Sequence, residues 1–355
     1  MALVKVLNIK ISSHEWSKSL KSKDKNLKEC LNIVSESKLL SVLPKGESHT
    51  VRFTLDNANS QLANAIRRVL MDEIPTYCLS FNEYTDIKTD DYYIHGQCDQ
   101  LCVQINALRI DQDINEDEFS KWKIYLKKHN NTDDLMDITS GDIQIMAGNK
   151  QITDLFYPGY ILSRLRNKCS LKIENIKIEK GLGLTNSNKF KYLANVYYEI
   201  MEEPLLETKD GFEGKSSLES DCKKFTIGYT TFKNIKDPCT PMFKCCDELK
   251  HRLDSILYDW ENDINDKIHI RQEDSIYLIE IEGEKLTIGN LIGYYIYLEM
   301  PSIEYITSGI VHIEKNIAII KIGNKNYKKL FSNAIKQALT DISIIRKDIA
   351  KVNHK

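Results

Sequence analysis

At 355 residues, 42% of them hydrophobic, the chain is long enough for two or three domains and apolar enough to bury substantial cores. Its 49 Lys and Arg against 51 Asp and Glu leave a net charge of -2. That excludes a protein held to polyanions by overall charge and confines any nucleic-acid contact to a local patch. Nine scattered Cys and the absence of a secretory apolar run in Met1–Leu7 point to a reducing intracellular compartment. No stretch approaches the roughly 18 apolar residues of a membrane span.

Residues 4–11 alternate as a strand (Val4, Val6, Ile9, Ile11), and a charged, Ser-rich stretch follows over 12–29. Val51–Leu55 alternates again. Asn57-Ala58-Asn59-Ser60 supplies turn and N-cap chemistry to a helix carrying Leu62, Ile66, Val69 and Leu70, which Pro75 ends. Residues 111–137, acidic at both ends, read as a surface excursion with a short helix over 119–126. Strands are predicted at 143–146, 169–179, 192–201 and 225–232, with a turn at Gly181-Leu182-Gly183 and a loop over 203–222. A helix over 241–262 carries Met242, Cys245, Leu249, Leu253, Ile256, Leu257 and Trp260 on its apolar face. The polar stretch 263–274 reads as a linker. Beyond it come a strand over 275–282, a helix from Ile288, strands at 303–307 and 317–322, and a last amphipathic helix over 327–350. Strands and helices mix without regular βαβ alternation, so the class is α+β.

One short pattern occurs twice, 226 residues apart: Leu62-Ala63-Asn64-Ala65-Ile66 running to Glu73-Ile74-Pro75, and Ile288-Gly289-Asn290-Leu291-Ile292 running to Glu299-Met300-Pro301. Asn, Ile, Glu and Pro are identical in both, and Leu70 matches Ile296. The small residue before Asn permits close approach of another backbone. An Asn on an apolar face is costly if buried unpaired, so it is expected to fix a helix start or a specific contact. A chance likeness of two amphipathic helices is the plain alternative; the long amphipathic helix downstream of each copy argues against it. Two such helices in one chain predict a pair that packs together.

The run from Leu55 to Thr76, with its Asn-Ala-x-Arg-Arg core and Pro75 behind it, resembles the signature of the third-largest subunit of eukaryotic and archaeal RNA polymerases and the N-terminal domain of the bacterial alpha subunit. The run from Leu286 to Leu291, followed by Pro301 and His312, resembles the small eleventh subunit that pairs with the third. Lys180–Gly183 and the stretch 137–147 also resemble parts of the larger subunit, so the likeness covers about residues 45–350. A fusion of the two resembles the arrangement in RNA polymerases of nucleocytoplasmic large DNA viruses. Gln104 and Arg109 depart from the family's Arg and Pro, and the position around Gly293 lacks its Arg.

The resemblance implies an intramolecular heterodimer: a third-subunit-like dimerisation domain over 1–77 and 191–265, an inserted domain over 78–190, and an eleventh-subunit-like domain over 266–355. The dimerisation helices would be centred on Leu62, Asn64, Ile66, Leu70 and Pro75, and on Ile288, Gly289, Asn290, Ile292, Ile296 and Pro301. Arg67 and Arg68 project about 100° apart on a helix, so at least one must leave the seam. By resemblance the pair meets a large subunit. The implied role is a non-catalytic platform for the two large catalytic subunits, joined by small zinc-bearing ones, touching DNA only through the complex. A viral source would place it in virion and host cytoplasm, with the nucleus as alternative. The rival reading is a stand-alone homodimeric regulatory or interaction module.

No catalytic grouping is expected. His95, His251 and His312 are isolated, Gly181-x-Gly183 lacks a dinucleotide fingerprint, and Gly283–Thr287 lacks P-loop spacing. No Asp-x-Asp-x-Asp motif of the kind that holds catalytic Mg²⁺ is present. Cys98 and Cys102, with Cys78 and His95 nearby, make at most half of a zinc site, so no metal or cofactor is expected.

Overall fold

A computed structural model describes residues 4–15, 47–108, 110, 116–152, 159–201, 224–231, 237–264, 266–311 and 315–353. The protein is α+β, with antiparallel sheets of four, six and four strands and a two-stranded ribbon. Most of the stretch 12–29, the loop 203–222, Arg109 and His312 fall outside the described residues.

The chain begins with β1 (Lys5–Glu15) and β2 (Glu47–Asp56), paired antiparallel. In β2, Val51, Phe53 and Leu55 are buried while Arg52 is exposed, as strict alternation requires of a half-covered sheet. Helix α1 (Ser60–Arg68) follows; the Asn59 side chain caps it, accepting from Leu62 N–H at 2.7 Å. The helix then widens into a π turn over Val69–Glu73 and ends before Pro75.

Next comes the six-stranded sheet. Its members are β3 (Thr76–Ser80), β4 (Ile87–Thr89), β5 (Trp122–His129), β7 (Ile143–Ala147), β8 (Lys150–Ile152) and β10 (Ser170–Gly181). The order is β3-β10-β5-β7-β8, with β4 also on β10. Three short helices, α2 (Tyr92–His95), α3 (Cys98–Asn106) and α4 (Glu116–Phe119), lie between β4 and β5. The ribbon pairs β6 (Met136–Thr139) with β9 (Ile161–Leu165). This layer has its own core, including Leu79, Leu101, Ile105, Leu126, Ile173 and Leu165. It returns tightly against the wide turn: Leu184 N–H donates to Asp72 C=O at 3.1 Å. A Cβ on Gly183 would stand 2.9 Å from the Asp72 Cα, so only Gly fits that approach.

Strands β11 (Leu193–Ile200) and β12 (Lys224–Thr231) complete the first sheet in the order β1-β2-β12-β11. The 22-residue helix α5 (Thr240–Glu261) follows. A second sheet of four is then built from β13 (Ile268–Glu273), β14 (Ile276–Glu282), β15 (Ile306–Ile310) and β16 (Ile317–Ile322), in the order β13-β14-β16-β15. Helix α6 (Leu286–Glu299) lies between β14 and β15, and α7 (Tyr327–Asn353) closes the chain.

Three expectations are corrected. The segment 119–126 is mostly β5, a central strand: Ile124 and Leu126 are buried and alternate with outward Lys123 and Lys127, a period of two rather than of a helix. The stretch 263–274 is not a linker but largely β13, whose hairpin with β14 runs from Ile268↔Ile281 to Glu273↔Ile276; its charges line a solvated edge while Ile268 is buried. The strand expected at 303–307 begins only at Ile306, because Ile303 N–H is spent on a turn to Met300 C=O (3.0 Å) behind Pro301.

Candidate functional site

The two four-stranded sheets share one winding. In each, a hairpin is followed by a helix starting four residues on, then by two strands in the order 1-2-4-3, then by a long helix. In the first, the six-stranded layer is inserted after the helix. Helix α1 packs against α6, α5 against α7, and α7 against β1. The result is a single core drawing on both halves, with Phe53, Leu62, Ile66, Leu70, Phe225 and Leu249 beside Ile288, Ile292, Ile296, Phe331 and Ile335. Each such buried side chain contributes about 1.5–3 kcal/mol.

The apolar positions of the two repeated blocks are therefore used alike: Leu62 and Ile288, Ile66 and Ile292, and Leu70 and Ile296 are all buried. The polar ones are not. Asn64 Oδ1 accepts from Arg67 Nε (3.1 Å) and Nη2 (2.9 Å), whereas Asn290 Oδ1 accepts from Ser308 Oγ at 2.8 Å. Gly289 does not make room for the facing helix. A Cβ there would stand 3.2 Å from the Ala318 Cβ, so its smallness seats α6 on its own sheet. Pro75 is half-buried and Pro301 exposed, each two residues beyond its helical segment.

At the seam lies a buried ionic cluster that the sequence reading missed. Glu73, only 4% exposed, ends the π turn. Its Oε2 accepts from Arg252 Nη1 at 2.5 Å, and its Oε1 accepts from Thr287 Oγ1 at 2.5 Å. Arg252, on α5, also forks onto Glu284, with Nε at 3.0 Å from Oε1 and Nη2 on Oε2. Arg68 Nε donates to Thr287 Oγ1 at 2.9 Å and stands 3.7 Å from Glu73 Oε1. Thus Arg68 and Glu73 from the first block and Arg252 from the first long helix meet Glu284 and Thr287 of the second half. Burial disfavours the charge on Arg252, but the hydrogen bonds and charge of Glu284, and then of Glu73, outweigh it and hold the guanidinium protonated above its ordinary range. Arg252 stands on the helix face between Leu249 and Ile256, and an Arg within an otherwise apolar stripe was the available signal.

A second polar bridge lies nearby. Tyr295 Oη donates to Asp341 Oδ2 at 2.7 Å, both buried. Burial, the Asp341 charge and that hydrogen bond push the Tyr295 phenol well above its ordinary value, while a hydrogen bond with Asn59 of the first half opposes the shift. Arg67, half-buried, keeps its guanidinium on its own helix, with Nη1 3.6 Å from Met71 Sδ.

Cys98 Sγ donates to Ile94 C=O (3.4 Å), and Cys102 Sγ accepts from Asn106 Nδ2 (3.4 Å). Among the described residues no group of three or more His, Cys, Asp and Glu is placed to hold a metal ion, and no helix is long and apolar enough to cross a membrane.

Fold and seam together define an internally paired α+β protein whose two halves are wound alike. No family model matches the chain. It is similar to the "DNA-directed RNA polymerase RPB3-11 homolog" of African swine fever virus: 26% identical to that of a Namibian warthog isolate over 317 residues, 82% of this chain and 85% of the relative. Its counterpart in a South African tick isolate is 25% identical over the same shares, and that of a Malawian tick isolate 26% identical over 70% of this chain and 72% of the relative. The likeness read from the Asn64 and Asn290 blocks is thus to a fused third- and eleventh-subunit-like polymerase protein of a large DNA virus.

Proposed function

We propose that this chain is a non-catalytic assembly subunit of a multisubunit DNA-directed RNA polymerase, acting as the platform on which the two large catalytic subunits dock. The observation that carries the reading is the pair of like-wound sheets closed over one core by α1 against α6 and α5 against α7. The names of the viral relatives support the same reading. The first sheet with α1 and α5 corresponds to a third-subunit-like dimerisation domain (1–77 and 191–265), the six-stranded layer to an inserted domain (78–190), and the second sheet with α6 and α7 to an eleventh-subunit-like domain (266–355).

Fusion fixes the halves at one to one and raises the effective concentration of each for the other to roughly the millimolar range. A pseudo-symmetric body with unlike polar residues on its two sides can hold two unlike partners. Arg67, whose guanidinium lies along its own helix, and Arg68, whose Nε is held by Thr287 at the seam while its side chain stays 28% exposed, are the residues proposed to meet a large subunit. Arg suits that contact because its planar fork binds carboxylates and carbonyls in pairs. Small zinc-bearing subunits attach to the same platform, and template DNA is engaged by the large subunits. Virion and host cytoplasm are the proposed setting.

The rival, a stand-alone homodimer, would use the repeated helices for self-association, yet α1 and α6 already cover each other within one chain. Affinity purification of the tagged chain from its native cells is expected to bring down both large subunits, and light scattering of the isolated chain to give a monomer. Replacing Arg67 and Arg68 together by Ala also removes Arg68 from Thr287 and Glu73 at the seam, so it is read only where the melting curve shows a folded chain, and it is expected to reduce recovery of a large subunit; Arg67→Ala alone, which leaves the seam intact, is expected to reduce it in part. Full recovery with the double variant would remove these two residues from the interface, and a stable homodimer without large subunits would replace the whole reading.

A further inference from the structure

The six-stranded layer carries a feature that the platform role does not use. Where β10 runs on past the start of β5, the strands leave an open groove lined by Tyr77, Phe119, Trp122 and Tyr125 and by Lys123, Lys127, Lys177 and Lys180. Among the described residues its one acidic lining residue, Glu174, is already engaged by Lys172 and, at 3.3 Å, by Lys88. Lys123, Lys127 and Lys177 are exposed and have no carboxylate within ion-pair distance among the described residues. In a chain of net charge -2, such a local excess of positive charge stands out from the rest.

The geometry arises from the pleat. Lys123, Tyr125 and Lys127 are alternate residues of β5 and share its outer face, opposite buried Ile124 and Leu126. Ile176 pairs with Ile124, so the next residue of β10, Lys177, shares the outer face with Lys123. Tyr125 therefore stands between two lysines, with the Lys127 Nζ 5.2 Å from its ring centre. At the end of the groove Phe119 is wedged edge-on between Tyr77 (5.1 Å) and Trp122 (5.2 Å), a rigid aromatic wall. On the outer face Tyr125 is the one ring among the lysines, while Tyr77, Phe119 and Trp122 reach the groove from the core side at its end. Cations beside an exposed aromatic ring suit single-stranded nucleic acid: phosphates meet the cations and an unpaired base stacks on the ring. An acidic peptide would satisfy the lysines but leave the Tyr125 ring between them without a stacking partner.

We propose that this groove binds single-stranded nucleic acid without sequence preference, giving the chain a direct nucleic-acid contact in addition to its proposed platform role. The test uses the full chain with a fluorescein-labelled oligothymidylate and an oligouridylate of equal length, followed by fluorescence anisotropy across a salt series. Three phosphate contacts predict a slope of log affinity against log salt of about -2. Replacing Lys123 and Lys127 together by Gln is expected to flatten that slope by about 1.4. Tyr125→Ala is expected to lower affinity about tenfold, the loss of one stacked base. Because Tyr125 is half-buried, its variant is read only if its melting curve matches that of the parent; the lysine variants, at exposed positions, stand as the independent arm. Quenching of Trp122 emission on titration would add support. Absence of saturable binding at low salt, unchanged slope in the lysine variant, or equal binding of duplex would overturn the proposal. Displacement by polyglutamate as efficient as by oligonucleotide would overturn it in favour of an acidic protein segment.

Discussion

Replacing Arg252 by Met separates two ways in which the seam could be held. The substitution keeps the stem that packs beside Leu249 and Ile256 and removes only the guanidinium. Left behind are Glu284, which loses three hydrogen bonds, and Glu73, which keeps Thr287 and the more distant Arg68. The side chains of Glu73, Glu284 and Arg252 are 4%, 11% and 16% exposed, so solvent screens the cluster little. Removing one member of a buried ionic group costs about 3–5 kcal/mol, mostly the penalty of the stranded charge. Replacing Arg252, Glu73 and Glu284 together by Met, Leu and Leu is expected to cost under about 1.5 kcal/mol, because the one charge of the cluster that remains, Arg68, has a side chain 28% exposed to water and keeps Thr287. Trp260 reports on this joint, since its ring lies 4.3 Å from that of Phe331 on α7. Urea unfolding followed by its emission, with Trp16 and Trp122 changed to Phe, is the assay. A loss below about 1 kcal/mol for Arg252→Met, or an equal loss for the triple variant, would refute the argument that the cluster matters through unpaired charge.

Two further predictions concern pH and the inserted layer. Burial, more than offsetting the hydrogen bonds from Tyr295 and Gln337, raises Asp341 above its ordinary value of 3.8. A raised carboxyl favours the fold most below 3.8, and that contribution is lost as the pH climbs through the native value. Asp341→Asn is therefore expected to flatten the dependence of the melting temperature on pH just above that point; an unchanged profile would count against the assignment. Asp91 has the opposite sign. Its burial is outweighed by hydrogen bonds from Arg166 N–H (2.9 Å), Tyr93 N–H (3.0 Å) and Arg166 Nε (3.0 Å), which lower it. Its contribution is present above 3.8 and is lost as the pH falls through the lowered value. Asp91→Ala, which also uncaps α2, is expected to cost about 1–3 kcal/mol and to speed hydrogen exchange in β9 and β10 while leaving α6 and α7 protected.

What was legible in the sequence was whatever repeats along the chain. Val51, Phe53 and Leu55 show a period of two, Leu249, Leu253 and Ile256 a helical one, and the two Asn blocks a likeness that needs no structure to see. What was hidden depends on partners distant in sequence. Arg68 has its partner, Thr287, 219 residues away, and nothing local distinguishes it from Arg67. The π turn over Val69–Glu73 follows from the packing of that segment rather than from residue preferences. Strand β5 was masked by acidic flanks and by the spacing of Phe119, Trp122 and Leu126, which also fits one helix face; the pairing with β10 and β7 decides it.

The two blocks cover equal lengths, Ser60–Glu73 and Leu286–Glu299, and both end on Glu, yet only Glu73 is buried. Glu299 is exposed and bonds Asn333 at 2.7 Å. The difference lies in the wide turn: each π-bonded residue advances less around the axis than an α-bonded one, so Glu73 departs from the phase that continuous helix gives Glu299. It then meets residues for which the first half has no equivalent. At the matching offset Glu284 corresponds to Ala58, Thr287 to Gln61, and Arg68 to Tyr294. Two first halves facing each other would bring Arg252 to Ala58, and two second halves would offer Thr287 no Arg68. Equivalent apolar faces permit either like or unlike pairing, while the polar cluster is complete only between unlike halves. Writing first-half residues into the second block, Glu284→Ala with Thr287→Gln, is expected to destabilise the seam by about 3–5 kcal/mol. It is also expected to make the chain self-associate with rising concentration in sedimentation equilibrium. A variant that stays monomeric and as stable as the parent would show that the apolar faces alone select the partner.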